Sequence, residues 1–370
     1  MSLEKDIRRL VKKHGSPLMI INRGALREQF ERFRRHLSNV TPYYAIKANP
    51  HPEIIKTFVR LGASFDVASA NEMDMVLKLG ALPEKVILAN TIKSAADLKR
   101  ANKAKVKLMT FDNEAEIYKI AKYVPGARVL VRIKVENIGS TVELSLKFGA
   151  DPDQAIFLLG KAKQLGLKPV GVAFHVGSQC VNVENYLKAL DITASIFHRC
   201  EELGLELTMV DIGGGFPIKH FDRDGHITLK DIAVPLRKKM RRLFKKGTKF
   251  IAEPGRYFAG PSGMLITQVI GRTFRNNRNY YYLNDGVYAD FSGTVFDHCR
   301  YEYKTLRRGQ KFLSTLAGPT CDSFDTISLN EDLPELEVGN IIYVKNIGAY
   351  SCASAVPNFN GFQPAQIVIQ

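Results

Sequence analysis

Short apolar runs alternate with amphipathic segments along the chain up to about Gly260. The apolar runs begin near Tyr43, Ser64, Val86, Lys107, Arg128, Val170, Met209 and Phe250. Segments with helical periodicity, such as His51 to Leu61 and Ala95 to Ala104, lie between them. Eight alternating strand–helix units are typical of a closed parallel (β/α)8 barrel, although periodicity alone also allows an open doubly wound sheet.

After Gly260 the pattern changes to short alternating runs separated by turn residues. These runs are Gly263 to Gly271, Tyr280 to Leu283, Gln310 to Leu316, Asn340 to Val344 and Ala365 to Ile369. Such a pattern predicts a mainly antiparallel β-domain. The chain starts with a helical segment and the run Pro17 to Ile21, which could add a strand to that domain. We therefore expect a barrel over residues 22–260 and a β-domain over residues 261–370, to which residues 1–21 contribute.

Bulk composition narrows the class of protein. With 370 residues, 45% of them hydrophobic and 24% charged, the chain resembles a globular soluble protein. No apolar stretch approaches the roughly 18 residues that a membrane span needs, and the charged N-terminus lacks the apolar centre of a secretory signal. Five cysteines without paired spacing indicate a reduced, cytoplasmic setting.

A formal net charge of +16 raises the question of a nucleic-acid partner. The basic residues are scattered, however, and the local run Arg237–Lys238–Lys239 lies on an amphipathic segment. Zinc-finger spacing and interleaved basic and aromatic residues are both missing from the sequence. We therefore expect a solvated basic surface and no nucleic-acid partner, with a positive field that favours anionic ligands such as a phosphorylated cofactor.

Polar, titratable or glycine residues close nearly every run of the predicted barrel. They are Lys47, Asp66, Asn90, Arg132, His175, the triplet Gly213–Gly215 and the segment Glu253–Arg256. In such barrels the chemistry lies at the carboxyl ends of the strands. Lys47 at a partly desolvated strand end provides the amine that a Schiff base with an aldehyde cofactor requires, although by itself it also fits a lysine that extends into solvent.

Two of these motifs suit a phosphorylated ring. Successive glycines at 213–215 allow backbone amides to approach a phosphate closely, or simply form a turn. Glu253 and Arg256 flank a rigid Pro-Gly turn, where the guanidinium suits a phosphate and the carboxylate suits a protonated ring nitrogen; the alternative is a surface ion pair. His175 and Ser178 are weaker candidates, since a strand histidine is more often a satisfied core residue.

In the predicted β-domain, Cys321 lies between a Gly-Pro turn and the carboxylates Asp322 and Asp325. Upstream, Tyr288 precedes Asp297. These carboxylates could recognise a cationic substrate. Metal binding is disfavoured, because no cluster of His, Cys and carboxylate residues has ligand spacing.

Taken together, the motifs resemble the fold-type III pyridoxal-phosphate amino-acid decarboxylases, in particular the ornithine decarboxylase branch with its lysine and diaminopimelate relatives. The matching segments follow the family order, as 44–49 (YAIKAN), 65–69 (FDVAS), 174–178 (FHVGS), 211–215 (DIGGG), 253–256 (EPGR), 321–322 (CD) and 348–350 (GAY). The resemblance covers nearly the whole chain and implies the same barrel and β-domain.

The resemblance assigns roles in a pocket for pyridoxal 5'-phosphate. Lys47 would hold the cofactor as a Schiff base, Glu253 would pair with the pyridine nitrogen, and His175 would stack on the ring face. Other cofactor contacts would come from Ser178, Gly213, Gly214, Gly215, Gly255, Arg256 and Tyr350. Asp66 would lie close to Lys47, and Arg132 would lie in the pocket wall.

The resemblance also implies a homodimer with active sites shared across the interface. Cys321 would be the acid that reprotonates Cα, and it would reach the site together with Asp322 from the other subunit. Lys147 would pair with Asp325 across that interface.

The substrate implied is a basic amino acid. Asp297 and Asp322 match the pair that binds the distal ammonium of ornithine, while Tyr288 and Phe359 would line the aliphatic slot. We therefore predict decarboxylation of L-ornithine to putrescine, a step of polyamine biosynthesis. Because one methylene is worth only about 1–3 kcal/mol of discrimination, decarboxylation of L-lysine to cadaverine stays open.

Three alternatives remain beside this prediction. A lysine or diaminopimelate decarboxylase is the nearest, although two carboxylates for one distal cation disfavour a distal-carboxylate substrate. Racemases of this fold do not pair the ring nitrogen with glutamate, so Glu253 argues against them. A non-catalytic regulator, like the decarboxylase-derived proteins that bind the enzyme's protein inhibitor, would be expected to lose Lys47 or Cys321.

Overall fold

The computed structural model describes residues 2–140, 147–221 and 227–370. It divides the chain into two compact units. One consists of Arg27–Pro217 and His226–Phe258, and the other of Met1–Leu26, Ile218–Gly225 and Ala259–Gln370. The chain begins with helix α1 (Leu3–His14), strand β1 (Leu18–Ile21) and helix α2 (Arg23–His36).

The first unit contains a closed barrel of eight parallel strands among the residues described. The strands are β2 (Val40–Ala45), β3 (Ser64–Val67), β4 (Val86–Leu88), β5 (Leu108–Phe111), β6 (Arg128–Arg132), β7 (Lys168–Ala173), β8 (Met209–Asp211) and β9 (Lys249–Ala252). The barrel closes where β2 pairs with β9, with Val40 opposite Phe250. The closed sheet confirms the barrel prediction and excludes the open sheet that periodicity had left possible.

Helices follow the strands around the barrel. They are α3 (Pro52–Arg60), α4 (Ala70–Lys78), α5 (Ala95–Lys103), α6 (Glu114–Tyr123), α7 (Ala155–Gln164), α8 (Val183–Glu202), α9 (Leu229–Leu243) and the short α10 (Arg256–Ala259). Side chains that accept from the first turn fix where several of them begin: Ser69 caps α4, Ser94 caps α5 and Asn113 caps α6. The turns that lead into these three helices are therefore set by local sequence.

The barrel strands are short and almost entirely buried, as expected when helices cover a parallel sheet. Apolar side chains from different strands form one cluster of the core, made of Tyr43, Ile87, Ala89, Leu108, Leu130, Ala173, Met209 and Ile251. Because seven of the eight strands contribute to this cluster, the residues that follow the strands are held at defined positions along one rim.

The second unit is a mostly antiparallel sheet. After β1 its elements are β10 (Gly263–Arg275), β11 (Arg278–Leu283), the short helix α11 (Gly293–Phe296), β12 (Lys304–Thr305), β13 (Lys311–Ala317), β14 (Thr326–Pro334), β15 (Ile341–Lys345) and β16 (Gln366–Ile369). The strands run in the order β12-β15-β10-β11-β13-β14, and β1 lies between β10 and β16. The pairs β11–β13 and β1–β16 are parallel, and the other pairs are antiparallel.

Two strands of this sheet, β12 and β14, were not predicted from the sequence. Strand β14 reads TISLNEDLP, and its charged, exposed residues conceal the alternation that marks a strand. It forms because β13 supplies partners for its backbone, which is a tertiary effect. Within the described ranges, none of the helices combines the length and apolar character needed to cross a membrane.

Candidate active site

Lys47 lies in a short 3-10 turn (Ile46–Ala48) that directly follows β2. Its Nζ donates to Asp66 Oδ2 at 2.6 Å, and Asp66, inside β3, is almost completely buried. Strands β2 and β3 pair so that Ala45, two residues before Lys47, lies opposite Asp66. The Lys47 side chain is 46% exposed, so the ion pair with Asp66, rather than burial alone, sets the environment of the amine.

A second carboxylate, Glu72, lies close to this pair. Its Oε2 accepts a hydrogen bond from the backbone N–H of Ala68 at 2.6 Å. Burial raises the pKa of Glu72, and the nearby charges of Asp66 and Lys47 act on it in opposite directions. Asn90 at the next strand end donates to the Ala68 carbonyl oxygen at 3.3 Å. These contacts fix the loop after β3, and with it the position of Asp66.

Glu253 and Asp211, at the ends of β9 and β8, form a buried carboxyl pair. Burial, together with the nearby carboxyls of Asp211 and Asp66, raises the pKa of Glu253 well above its ordinary range. Burial also raises the pKa of Asp211, to about 7. A hydrogen bond joins the two side chains, with Glu253 as the donor. The pair therefore keeps a proton on Glu253 above the pH at which an isolated carboxyl group would lose it.

His175 follows β7 and carries a neutral imidazole. Burial holds its pKa well below 6.5, and the charges of Arg132 and Lys47 lower it further. Its Nδ1 accepts from the backbone N–H of Gly177 at 3.0 Å, which leaves the proton on Nε2. Arg132 closes β6, with its guanidinium carbon 5.4 Å from the centre of the Phe148 ring. Ser178 is half-buried in the loop that follows His175.

The glycine triplet closes β8 against the ends of its neighbours. Gly213 and Gly215 have φ of +66° and +93°, which side chains rarely adopt. A Cβ on Gly213 would lie 2.3 Å from the Phe174 carbonyl oxygen, and one on Gly214 would lie 2.7 Å from that of Glu253. The triplet is therefore a close approach of three strand ends, where no larger residue fits.

Arg256 begins α10 immediately after the Pro-Gly turn and is only 5% exposed. Gly255 packs against the turn that carries Lys47, since a Cβ there would lie 2.9 Å from Ala48 Cβ. Arg256 is buried and Glu253 is half-buried, so the two residues do not form a surface ion pair. One rim of the barrel thus brings together Lys47, Asp66, Arg132, His175, Gly213, Gly214, Gly215, Glu253, Gly255 and Arg256.

A different cluster lies in the β-rich unit, around Cys321. The hydroxyl of Tyr288 donates to Asp322, and the Tyr288 ring stacks on Phe359 with the ring centres 4.0 Å apart. Exposed Cys321 has its Sγ 3.4 Å from Asn360 Oδ1, which also accepts from the Cys321 backbone N–H at 3.2 Å. A thiol, a carboxylate and two stacked rings therefore share one surface.

Asp325 is buried beneath this surface and contacts the two loops that form it. It is 2% exposed, and it accepts hydrogen bonds from the Val287 N–H at 2.8 Å and the Thr320 hydroxyl at 2.8 Å. A Cβ on either Gly286 or Gly318 would lie 2.2 Å from Asp325 Oδ1. Asp325 thus connects the loop that carries Tyr288 to the one that carries Cys321.

Three further predicted residues lie elsewhere in their units. Asp297 Oδ2 accepts from the Cys299 thiol at 3.3 Å. Tyr350, which follows Gly348–Ala349 in the β-rich unit, has a left-handed backbone with φ of +52°. The Lys147 Nζ lies 4.9 Å from the centre of the Phe148 ring in the barrel unit.

Comparison with known proteins decides between the chemistries that these clusters allow. A family model described as "Pyridoxal-dependent decarboxylase, pyridoxal binding domain" matches residues 23–260, the region that forms the barrel rim. The chain belongs to the pyridoxal-dependent decarboxylases.

Individual members of this decarboxylase family are close in sequence and fold. The lysine/ornithine decarboxylase of Selenomonas ruminantium is 40% identical over 367 residues, which cover 99% of this chain and 92% of that protein. The structure of SrLDC in complex with PLP and cadaverine has a TM-score of 0.94 at 39% identity, covering 100% of this chain and 94% of that one. The lysine/ornithine decarboxylase of Vibrio vulnificus, complexed with putrescine, has a TM-score of 0.93 at 33% identity, covering 100% and 99%.

The rim residues of this decarboxylase fit pyridoxal phosphate. The glycine triplet leaves no room for a Cβ and so offers backbone for close approach of a phosphate, with the buried guanidinium of Arg256 as a counter-charge. Glu253 holds a proton that a pyridine nitrogen can accept, and Lys47 supplies a primary amine for the aldehyde. This donor set combines the anion, ring and aldehyde contacts that the cofactor needs.

Sequence reasoning did not single out Glu72, Asp211 and Asn360. Asp211 was detectable, because a carboxylate inside a buried strand is costly unless it is paired or protonated. Glu72 looks like an ordinary first-turn residue of α4. Asn360 becomes relevant only because the chain folds it against Cys321, 39 residues away.

Proposed function

We propose that this decarboxylase converts L-ornithine to putrescine, and L-lysine to cadaverine, with pyridoxal phosphate as its cofactor. The observation that carries the proposal is the Tyr288–Phe359 stack ending at Asp322 beside Cys321. The half-buried ring stack offers an apolar wall for the methylene chain of a basic amino acid, and the carboxylate suits its distal ammonium. The Selenomonas and Vibrio relatives, named as lysine/ornithine decarboxylases, support the same class of substrate.

Ornithine and lysine differ by one methylene, which a single aromatic slot discriminates by about 1–3 kcal/mol. Asp322 is held by Tyr288 and by the N–H of Phe324 at 3.0 Å, so its position is fixed. Asp297 is the second carboxylate proposed for the distal ammonium. Two acidic groups repel a distal carboxylate, which disfavours meso-diaminopimelate.

The proposed mechanism assigns each step to a side chain. Lys47 would hold the cofactor and release it to the substrate α-amine, with the Asp66 carboxylate balancing the positive charge of the Lys47 amine. Glu253 would share its proton with the ring nitrogen, and the neutral imidazole of His175 would lie against the ring face. When bound, the cofactor supplies an electron sink for the pair released as the Cα–carboxylate bond breaks and carbon dioxide leaves. The thiol of Cys321 then gives its proton to Cα, completing the amine.

The proposed working form is a homodimer in which Cys321 and Asp322 serve the partner's cofactor. Exposure of the thiol, and of Phe324 next to it at 58%, is what such an arrangement requires before assembly. Lys147 would add an ion pair to Asp325 across the interface. We place the enzyme in the cytoplasm, because a reducing compartment keeps the Cys321 thiol in the form that can donate a proton. Its proposed product putrescine places it in polyamine biosynthesis.

The test is a direct assay of the amine product with purified enzyme, pyridoxal phosphate and L-ornithine, L-lysine, L-arginine or meso-diaminopimelate. Putrescine and cadaverine should be the main products. The variant Asp322→Asn should raise KM for both substrates by about 10- to 150-fold, since removal of a partner from a charge pair costs about 1.5–3 kcal/mol. The matched control Asp332→Asn, at an exposed site in β14, should leave KM for both substrates unchanged.

Agmatine from arginine, or no amine from any substrate despite bound cofactor, would overturn the proposal. If no amine forms from any substrate, the racemase and the non-catalytic regulator become the hypotheses to test.

A further inference from the structure

Two buried carboxyl groups lie together in the β-rich unit, apart from the residues assigned so far. Asp285 follows β11, and Asp290 begins a 3-10 turn (Asp290–Ser292). They are 1% and 2% exposed. Asp285 Oδ1 accepts from the Asp290 backbone N–H at 3.0 Å, and the two carboxyl groups are also hydrogen-bonded to each other.

A hydrogen bond between two carboxyl groups requires a proton on one of them. Among the residues that the structure describes, no N–H or O–H group donates to Asp285 Oδ2 or Asp290 Oδ1, and both oxygens are buried. A single proton held between the carboxyl groups satisfies both atoms. Burial and the adjoining Asp290 carboxyl raise the pKa of Asp285 well above its ordinary range, and burial raises the pKa of Asp290 to about 6.

The pair ties one loop to the C-terminal segment. The backbone N–H groups of Cys352 and Ala365 lie near the Asp290 carboxyl group and lower its pKa. Between the two acids lies Tyr288, whose carbonyl oxygen accepts from the Val356 N–H at 2.8 Å. The loop that carries Tyr288 thus contacts the final twenty residues at three separate points, one of them a hydrogen bond to Val356.

The acid pair also adjoins the aromatic slot. Asp285, Tyr288 and Phe359 line the same small cavity, of about 30 Å³. On the other side of the loop, Asp325 holds the Val287 N–H. Loss of the acid pair would therefore remove two of the three contacts between this loop and the C-terminal segment and leave the Val356–Tyr288 hydrogen bond.

We propose that Asp285 and Asp290 are a proton-sharing positioning pair that holds the Tyr288 loop against the C-terminal segment and thereby sets affinity for the substrate. The link to affinity rests on the proposed function, in which Tyr288 and Phe359 line the aliphatic slot. Neither acid is a catalytic residue in this proposal, because both act through Tyr288.

Proton sharing gives the pair a defined pH dependence. Unfolded carboxyl groups lose their protons near pH 4, whereas the folded pair keeps one above that pH. The folded state then binds more protons than the unfolded state, so stability falls as pH rises towards the folded pKa of the pair. The unfolding equilibrium constant increases about tenfold per pH unit for each additional proton retained.

Other titratable groups near the pair have defined contacts. The Cys352 thiol lies near Asp290; burial raises its pKa to about 12, so it stays neutral over the range tested. Asp325 contacts the loop through Val287, and the Tyr288 hydroxyl donates to Asp322.

Three variants of the holoenzyme test the proposal. Asp285→Asn keeps an acceptor for the Asp290 N–H and places a non-titrating N–H donor towards the Asp290 carboxylate. Asp285→Ala removes both. In Asp290→Asn, the side-chain NH2 group would face one of the two backbone N–H groups near Asp290, so two donors would oppose each other.

Melting temperature is measured from pH 6 to 8, and KM and kcat are measured with L-ornithine and L-lysine. Asp285→Asn should flatten the decline of melting temperature relative to wild type while keeping KM within about twofold. Asp285→Ala and Asp290→Asn should raise KM by about tenfold or more with a smaller change in kcat, as expected for a misplaced binding group.

Parallel melting curves for wild type and Asp285→Asn would overturn proton sharing. An unchanged KM in Asp290→Asn would overturn positioning. The melting curves need no turnover, so they test the shared proton even if the substrate assignment fails. If Asp285→Ala does not fold, the contrast between the two asparagine variants still decides the matter.

Discussion

Substitution of Gly214 by alanine should disturb the cofactor site by a predictable amount. Its φ lies outside the left-handed region, so the backbone accepts alanine without strain and only packing changes. The new Cβ would lie 2.7 Å from the Glu253 carbonyl oxygen and 3.0 Å from His175 Nε2. Ordinary contact begins at 3.4 Å, so these groups must retreat by 0.7 Å (3.4 − 2.7) and 0.4 Å (3.4 − 3.0).

The Glu253 backbone belongs to the end of a barrel strand and cannot rotate away as a flexible side chain can. Overpacking of this kind costs about 1–3 kcal/mol. If the displacement is relieved mainly by shifting Glu253 and His175, that cost appears as weaker cofactor binding, by about 5- to 150-fold. Titration of pyridoxal phosphate into the apoprotein, followed by absorbance, measures this loss of cofactor affinity directly.

Gly160 in α7 supplies the control. It has an ordinary helical backbone and no atom within 4 Å of the position of an added Cβ. Gly160→Ala should therefore raise stability by up to about 1 kcal/mol through helix propensity and leave cofactor affinity unchanged. Equal cofactor affinity in Gly214→Ala and wild type would refute the close approach of strand ends at this rim.

Three further predictions concern single side chains of the two clusters. Lys47→Ala should abolish the visible absorbance of the lysine-bound cofactor, whereas Lys56→Ala, which removes only a surface ion pair with Glu53, should preserve it; an intact band in Lys47→Ala would point to another lysine. Glu253→Gln should lower kcat by about 100-fold or more, because its amide cannot give a proton to the ring nitrogen. The same variant should also flatten the pH dependence of stability: the folded pKa of Glu253 is raised, so its contribution is present at low pH and is lost as pH rises through that pKa. Cys321→Ala should bind the cofactor normally but form product slowly or protonate it at the wrong atom, a result checked by mass spectrometry of the products in D2O; full and faithful turnover would remove Cys321 from the mechanism.

Most of the barrel follows from local sequence. The first strand–helix units were predicted within a few residues because their apolar runs are short and their helices begin at Ser69, Ser94 and Asn113. The rim residues could be identified for the same reason, since a residue that ends a barrel strand must lie at the rim whatever its partners are. Strand β14 shows the limit, because its alternation is interrupted and only pairing with β13 reveals it.

The candidate site was predicted as a set of residue types rather than as an arrangement. Lys47, Glu253 and the glycine triplet were identified from their motifs. The contact of Asp325 with both the Tyr288 and the Cys321 loops could not be predicted from the sequence. Its partner Thr320 is 5 residues away, but its partner Val287 is 38 residues away. The proximity of Asp66 to Lys47 was implied by family resemblance, and the ion pair of 2.6 Å that they form comes from the register of β2 and β3.

The order of strands and helices, the residues at the barrel rim and the family itself are determined by the sequence, since periodicity, capping and motifs are local properties. Protonation is decided by the tertiary structure. Asp211 and Glu253 lie 42 residues apart (253 − 211), and only folding buries them in contact so that one proton serves both. The energy of a charge depends on how far water is excluded and on what lies within a few ångströms, and neither quantity is set until distant segments meet.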